Sequence, residues 1–239
     1  MHILDEILAR VRELRVTGAT RGQTPVVVFD LDHTLFDNGP RTLALLRDYA
    51  RTAGEQALSA ALQALPETNV PYTVADVLAL AGEHRAEVVE AARESWGQRF
   101  FTDDIQRLDV PVPGAQSYVA DVFEAGATVV YLSGRDAPNM LVGCAESLRA
   151  HRFPVGLAHT VIVLKPSWEM PDLEFKRDVV DFLSSLGVVV ASFDNEPANC
   201  NMFRRMFPGA HHVFLATAHA PDSPPLDPGI PAIRDFLRA

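Results

Sequence analysis

The sequence predicts an α/β fold: a doubly wound parallel sheet with an all-helical segment inserted after its first strand. Three observations carry this. Short, nearly unbroken apolar runs such as "VVVF" at Val26–Phe29 suit strands covered on both faces. Late in the chain such runs alternate with helix-like segments, the pattern of a parallel sheet with helices on both sides. Between residues 38 and 110 the alternation stops and apolar residues recur at helical spacing instead.

Taken in order, Ile3, Leu4, Ile7, Leu8, Val11 and Leu14 mark an amphipathic N-terminal helix ending near Gly18. A polar stretch, "TGATRGQTP", leads to the first strand, Val26 to Leu31. In the inserted segment Val88, Ala92, Trp96 and Phe100 fall four apart, on one face of a helix, so Trp96, Phe100 and the adjacent Phe101 are expected in its core. "VPVPGA" then returns the chain to the sheet, because proline and glycine end helical structure there. Further strands are predicted at "ATVVYLS", "HTVIVL", "VVVASFD" and "HHVFLA", the last beginning with His211 and His212. Helices are predicted over Ala115 to Glu124, Pro138 to Ala150, Glu174 to Leu186 and Pro197 to Phe207.

The 239 residues, 48% of them hydrophobic, are enough for one substantial core and a smaller second one. With 31 acidic against 21 basic residues the formal charge is −10, which repels phosphate backbones and anionic membrane faces. Neither nucleic acid nor membrane is expected as a partner. Asp5, Glu6 and Glu13 interrupt the apolar residues of the N-terminal segment, unlike the centre of a secretory leader. Cys144 and Cys200 have no metal-site or disulfide spacing and are expected to be small buried residues on helices, which fits a reducing cytoplasm.

In open α/β sheets ligands bind beyond the carboxyl ends of the strands. Here the first strand ends in Asp30 and Asp32, the second in "SGRD" from Ser133, the third in Lys165, and the fourth in "DNEPAN" from Asp194. Taken singly, Asp194 reads as a turn former, Ser133-Gly134 as an ordinary turn, and Lys165 and Lys176 as solvated surface residues. Together they change meaning. Carboxylates gathered without a cation raise one another's pKa, so a bound divalent metal is the natural compensation, and hard carboxylate oxygens favour magnesium over zinc.

The ordered motifs "DLDHTLFDN", "LSGR", a late lysine and "FDNEPAN" resemble those of the haloacid dehalogenase superfamily. The resemblance implies a Rossmann-like core from residues 1–37 and 111–239, with the first strand central, and a helical cap domain over 38–110. It implies that Asp30 is a nucleophile forming an aspartyl-phosphate, and that Asp32 protonates the leaving oxygen and then activates water. Ser133 and the Gly134 N–H would bind phosphoryl oxygens, with Thr34 and Arg135 in the same substrate-binding set, Arg135 either on the substrate or in a salt bridge. Magnesium would be held by Asp30, Asp194 and the Asp32 main-chain carbonyl. The family lysine is Lys165 or Lys176, and the "FK" of "DLEFKRDVV", placed on the first turn of its helix, favours Lys176. Glu196 or Asn199 either touches the metal or caps a helix. His33 is expected to point away from both aspartates by strand alternation.

Asp32 favours phosphatase chemistry over dehalogenation, since halide leaves without a proton. The expected activity is magnesium-dependent hydrolysis of a small phosphorylated metabolite. Phosphomutase or phosphotransferase chemistry, a polynucleotide end-phosphatase and a silent phospho-ligand binder are the alternatives, and the cap is a possible homodimer surface.

Overall fold

A computed structural model describes residues 2–18 and 23–238, so part of the polar stretch before the first strand lies outside the described residues. The chain runs α1 (Ile3–Gly18), β1 (Pro25–Phe29), β2 (Phe36–Asp37), then four helices, α2 (Gly39–Thr52), α3 (Gln56–Ala64), α4 (Val74–Leu80) and α5 (Ala86–Phe100). A 3₁₀ turn (Gln106–Leu108) and β3 (Val110–Pro111) follow, then α6 (Ala115–Glu124), β4 (Thr128–Asp136), α7 (Ala137–Ala150) and β5 (Thr160–Lys165). The last part is α8 (Asp172–Asp178), α9 (Val180–Leu186), β6 (Val188–Asp194), α10 (Pro197–Met206), β7 (His211–Leu215) and β8 (Ala232–Ile233).

Six strands form one parallel sheet in the order β5-β4-β1-β6-β7-β8, with β1 inside it. Alternation along β1 sends Val27 and Phe29 to one face and Val26 and Val28 to the other, and each set enters a different apolar cluster. The first cluster takes in Leu4, Ile7, Leu8 and Val11 of α1, so the N-terminal helix covers this face with its predicted apolar stripe. Phe29 and Phe193 stack within it at 4.8 Å between ring centroids. The opposite cluster is completed by Phe175, Val180 and Leu183 of α8 and α9.

Helices α2 to α5 surround a third cluster of their own, including Leu43, Leu46, Leu58, Leu62, Val77 and Val88. The chain leaves and re-enters the sheet region through the antiparallel pair β2–β3, where Phe36 faces Pro111 and Asp37 faces Val110. This pair and the edge strand β8 were not anticipated from sequence, because two-residue strands have no periodicity to read. The helix expected over Glu174 to Leu186 starts earlier and is interrupted at Val179, giving α8 and α9. Lys176 therefore lies in the last turn of α8 and not in a first turn. Among the described residues no helix is long and apolar enough to cross a membrane.

Candidate active site

The first strand stops one residue short of the acidic pair. The Asp30 N–H still donates to the Phe193 carbonyl of β6 at 3.0 Å, which ties the end of β1 to its neighbour. The chain then turns: His33 takes a left-handed conformation, φ 56°, and its N–H donates to Asn38 Oδ1 at 3.1 Å. Strand alternation does not extend through this turn. His33 consequently lines the same cavity as Asp30 and Asp32, contrary to the expectation that it points away.

Asp30 and Asp194 meet on one ammonium group. Lys176 Nζ lies 2.7 Å from Asp30 Oδ1 and 2.7 Å from Asp194 Oδ2, all three side chains being buried. The far side of Asp194 is held by the Glu196 N–H at 2.9 Å and by Asn199 Nδ2 at 3.0 and 3.2 Å to its two oxygens. Burial pushes the Asp30 carboxyl up to about 8, with Asp194 and Asp32 adding to the rise and Lys176 opposing it. Burial disfavours the charge on Lys176, but Asp194 and Asp30 outweigh it and keep the ammonium charged. Lys165 and Lys176 are both buried, so neither is the solvated surface lysine of the single-residue reading. Lys165 engages Asp172 at 2.7 Å and the Trp168 carbonyl at 3.3 Å, leaving Lys176 as the lysine on the carboxylate pair.

Asp32 has different partners. Arg135 Nε lies 2.9 Å from Asp32 Oδ2, and Arg135 Nη2 lies 2.8 Å from Oδ1. Arg41 Nη2 reaches the same Oδ1 at 2.8 Å. Both arginines also pair with buried Asp109, at 2.8 Å from Arg135 and 2.9 Å from Arg41 Nε, the latter contact being close but badly aligned for a hydrogen bond. Gln106 accepts from Arg135 Nη1, and Arg41 lies 3.9 Å over the Phe100 ring. Burial alone would raise the Asp32 pKa, but Arg135 and then Arg41 hold it well below the ordinary carboxylate range. Sequence reasoning missed Arg41, Gln106 and Asp109, none of which belongs to a strand-end motif. Arg135 takes the salt-bridge alternative.

The remaining expected residues divide. Between Ser133 and Asp136 the register of β4 against β5 shifts, and this bulge turns Gly134 and Arg135 toward the cavity. A Cβ on Gly134 would sit 2.0 Å from Asp172 Oδ2, so only glycine lets that carboxylate approach the strand end. Ser133 is fully buried, accepts from the Arg135 N–H at 3.2 Å, donates to Asp32 Oδ2 at 3.5 Å and does not itself line the cavity. Thr34 is also buried, donating to Asn195 Oδ1 at 3.4 Å, and does not line the cavity. The Glu196 carboxylate accepts from the Ala220 N–H and the Ser223 hydroxyl, both at 2.9 Å, so it organises a loop. Asn199 positions Asp194. Cys144 and Cys200 are buried free thiols.

The cavity itself is about 280 Å³. Asp30, Asp32 and Lys176 line one part of it, and Trp96, Phe100, Phe101 and Trp168 another. Trp96 packs against the helical core as expected and also lines the cavity, whereas for Phe100 and Phe101 the expected core position is corrected to the cavity lining. The α5 stripe begins in the helical core at Val88 and Ala92 and ends in the cavity.

Among the described residues no group of three or more His, Cys, Asp or Glu is arranged to hold a metal. Magnesium asks for less, one or two carboxylates with waters and phosphate oxygens completing its shell. Asp30 and Asp194 supply hard oxygen donors of that kind, and the two buried carboxylates share the single ammonium of Lys176. The donor set fits the ion.

These features define an α/β protein with a charged cavity at the carboxyl ends of its strands, and comparison with solved structures gives its fold as that of the haloacid dehalogenase-like hydrolases. A Clostridium difficile protein provisionally named a phosphatase superposes with a TM-score of 0.54 at 13% identity, over 84% of this chain and 89% of that one. A HAD-superfamily hydrolase, subfamily IA, variant 1, from Geobacter sulfurreducens gives 0.51 at 14% identity, over 89% and 93%. Protein Tyrosine Kinase A from Mycobacterium tuberculosis gives 0.50 at 16% identity, over 88% and 93%. No protein-family model matches the chain, and no curated protein matches it in sequence.

Proposed function

We propose that this protein is a magnesium-dependent phosphohydrolase that cleaves a small phosphomonoester, with Asp30 as the nucleophile. The observation that carries the reading is the placement of Lys176 Nζ 2.7 Å from both Asp30 and Asp194, where the cavity meets the strand ends. A carboxylate oxygen of Asp30 attacks phosphorus, the bond to the leaving oxygen breaks, and water then attacks the aspartyl-phosphate to return free Asp30 and phosphate. Lys176 offsets negative charge on the transferring group, where positioned electrostatics supply most of the catalysis. A magnesium ion held by Asp30 and Asp194 would neutralise further charge on the phosphoryl oxygens. Asp32 is the proton-transfer group of this reading. The Arg41 and Arg135 contacts that keep it anionic also weaken it as a base, so it takes a proton from the attacking water only once an arginine contact opens. For Asp32 to give a proton to the leaving oxygen, at least one arginine contact must open. Helices α2 to α5 act as a cap whose aromatic edge faces the reacting groups.

A phosphotransferase, in which a hydroxyl replaces water as acceptor, uses the same groups, and a neighbour of this fold carries the name of a kinase. Phosphate release from p-nitrophenyl phosphate and a panel of phosphorylated metabolites, with magnesium and with chelator, tests the proposal. Magnesium-dependent release that Asp30→Asn abolishes is the expected result. Release no greater than that of the Asp30→Asn variant across the panel turns the reading to a phospho-ligand-binding protein.

A further inference from the structure

We propose that the ester accepted by this cavity has a single planar ring as its leaving group and no second anionic group. The inference rests on the phosphohydrolase reading and names its substrate class. Trp96, Phe100, Phe101 and Trp168 form one contiguous wall. Trp96 stacks on Phe100 at 4.2 Å between centroids, Phe100 meets Phe101 at 4.9 Å, and Phe101 meets Trp168 at 4.0 Å. The first two rings come from α5, whereas Trp168 comes from the loop after β5, so the wall joins the helical segment to the sheet region. None of the four is fully buried, and Trp168 keeps 47% of its surface exposed. Rings that line a concave space and are left uncovered offer flat apolar surface to a ligand.

Charge excludes a second anion. The cationic side chains that line the cavity are Lys165, Lys176 and Arg135, and each is already paired with a carboxylate. Glu196 adds negative charge to the lining with no cation paired to it, and an anion beyond the phosphoryl group would face it without an unpaired lysine or arginine among the described lining residues. At about 280 Å³ the space is near the lower end of small-molecule pockets, which suits one ring and its phosphoryl group.

The chain's two tryptophans both line the cavity, so intrinsic fluorescence reports occupancy directly. Benzylphosphonate and cyclohexylmethylphosphonate match in length and charge and differ in ring flatness. Titrated in magnesium buffer, the benzyl compound is expected to bind about five- to tenfold more tightly. Trp168→Ala, at an exposed position, should bring the two within twofold as followed by Trp96, and Phe101→Leu should narrow the gap while conserving apolar volume. 4-Carboxybenzylphosphonate should bind at least about fivefold more weakly than the benzyl compound, as unpaired like charge requires. Equal binding of the flat and puckered rings, equal binding of the carboxylated ring, or no fluorescence response to any of them overturns the inference. Turnover of benzyl and cyclohexylmethyl phosphates separates the two proposals. Phosphate release from both at equal kcat/KM overturns ring recognition and leaves hydrolysis standing. Release from neither, with the fluorescence preference intact, overturns hydrolysis and leaves ring recognition standing.

Discussion

Asp30 and Asp32 are two residues apart and belong to two charge clusters of opposite character. Asp30 shares one ammonium with Asp194, so two buried carboxylates divide a single positive charge. Asp32 and Asp109 share two guanidinium groups, so that cluster is balanced. Burial raises both carboxyls; one shared ammonium leaves Asp30 at about 8, whereas two guanidinium groups hold Asp32 well below its usual range. Sequence neighbours thus acquire separate surroundings through their partners, one carboxyl in a site short of positive charge and one in a balanced cluster, and the proposed division into nucleophile and proton-transfer group rests on that difference.

The strongest break of this contrast is Asp30→Asn, which should lower phosphate release by about 10³-fold or more, measured as kcat/KM on an aryl phosphate. Lys176→Ala should follow with a loss of about 10²- to 10³-fold, because it removes the cation from the reacting cluster. Lys165→Ala should cost less than about tenfold, since that lysine is engaged by Asp172. Equal losses for the two lysines would sink the separation of their roles.

In the balanced cluster, Arg41→Met should destabilise the fold by about 3–5 kcal/mol in denaturant unfolding, because it leaves Asp109 and Asp32 short of a cation. Arg41→Lys should recover only part of this, as an ammonium cannot span both carboxylates and stack on Phe100 as the guanidinium does. A stability change near zero for Arg41→Met would show the clamp to be dispensable.

The pH dependence sharpens the comparison by smaller steps. A carboxyl raised in the folded state binds its proton more tightly there than in the unfolded chain, so its contribution is complete at low pH and declines as pH rises toward about 8. In chelator, the stability of Asp30→Asn relative to wild type should therefore increase from about pH 4 to pH 8, by at most about 1.4 kcal/mol per pH unit. Asp32 has the opposite sign: its contribution is present above the ordinary carboxylate range and is lost only as pH falls below it. The gap between Asp32→Asn and wild type should stay flat from pH 5 to 8. Parallel profiles for the two variants would erase the proposed difference.

Much of the fold was legible because its cause is local. The apolar runs at Val26–Phe29 and Val188–Phe193 are strands in a sheet buried on both faces, and the stripe of α1 covers one of those faces. The helical character of 38–110 followed from spacing in the same way. His33 was misread because the alternation argument assumed extended backbone where the chain had already turned. Phe100, at the end of α5, was misread because helical spacing identifies a shared face without saying where along the helix the core, which still includes Trp96, gives way to a cavity.

What the sequence determined by itself is the chemistry collected at the strand ends: Asp30 and Asp32 just after one strand, Gly134 and Arg135 in the last residues of another, and Asp194 at the end of a third. Each belongs to a short segment whose own pattern places it. Only the tertiary structure decided the pairing. Lys176 was separated from Lys165 by a contact spanning 146 residues, and Arg41 and Asp109 became the surroundings of Asp32 through side chains that no local spacing links. Hydrophobic periodicity records which face of an element is buried; the partner a buried charge finds depends on where distant elements bring opposite charge within about 3 Å.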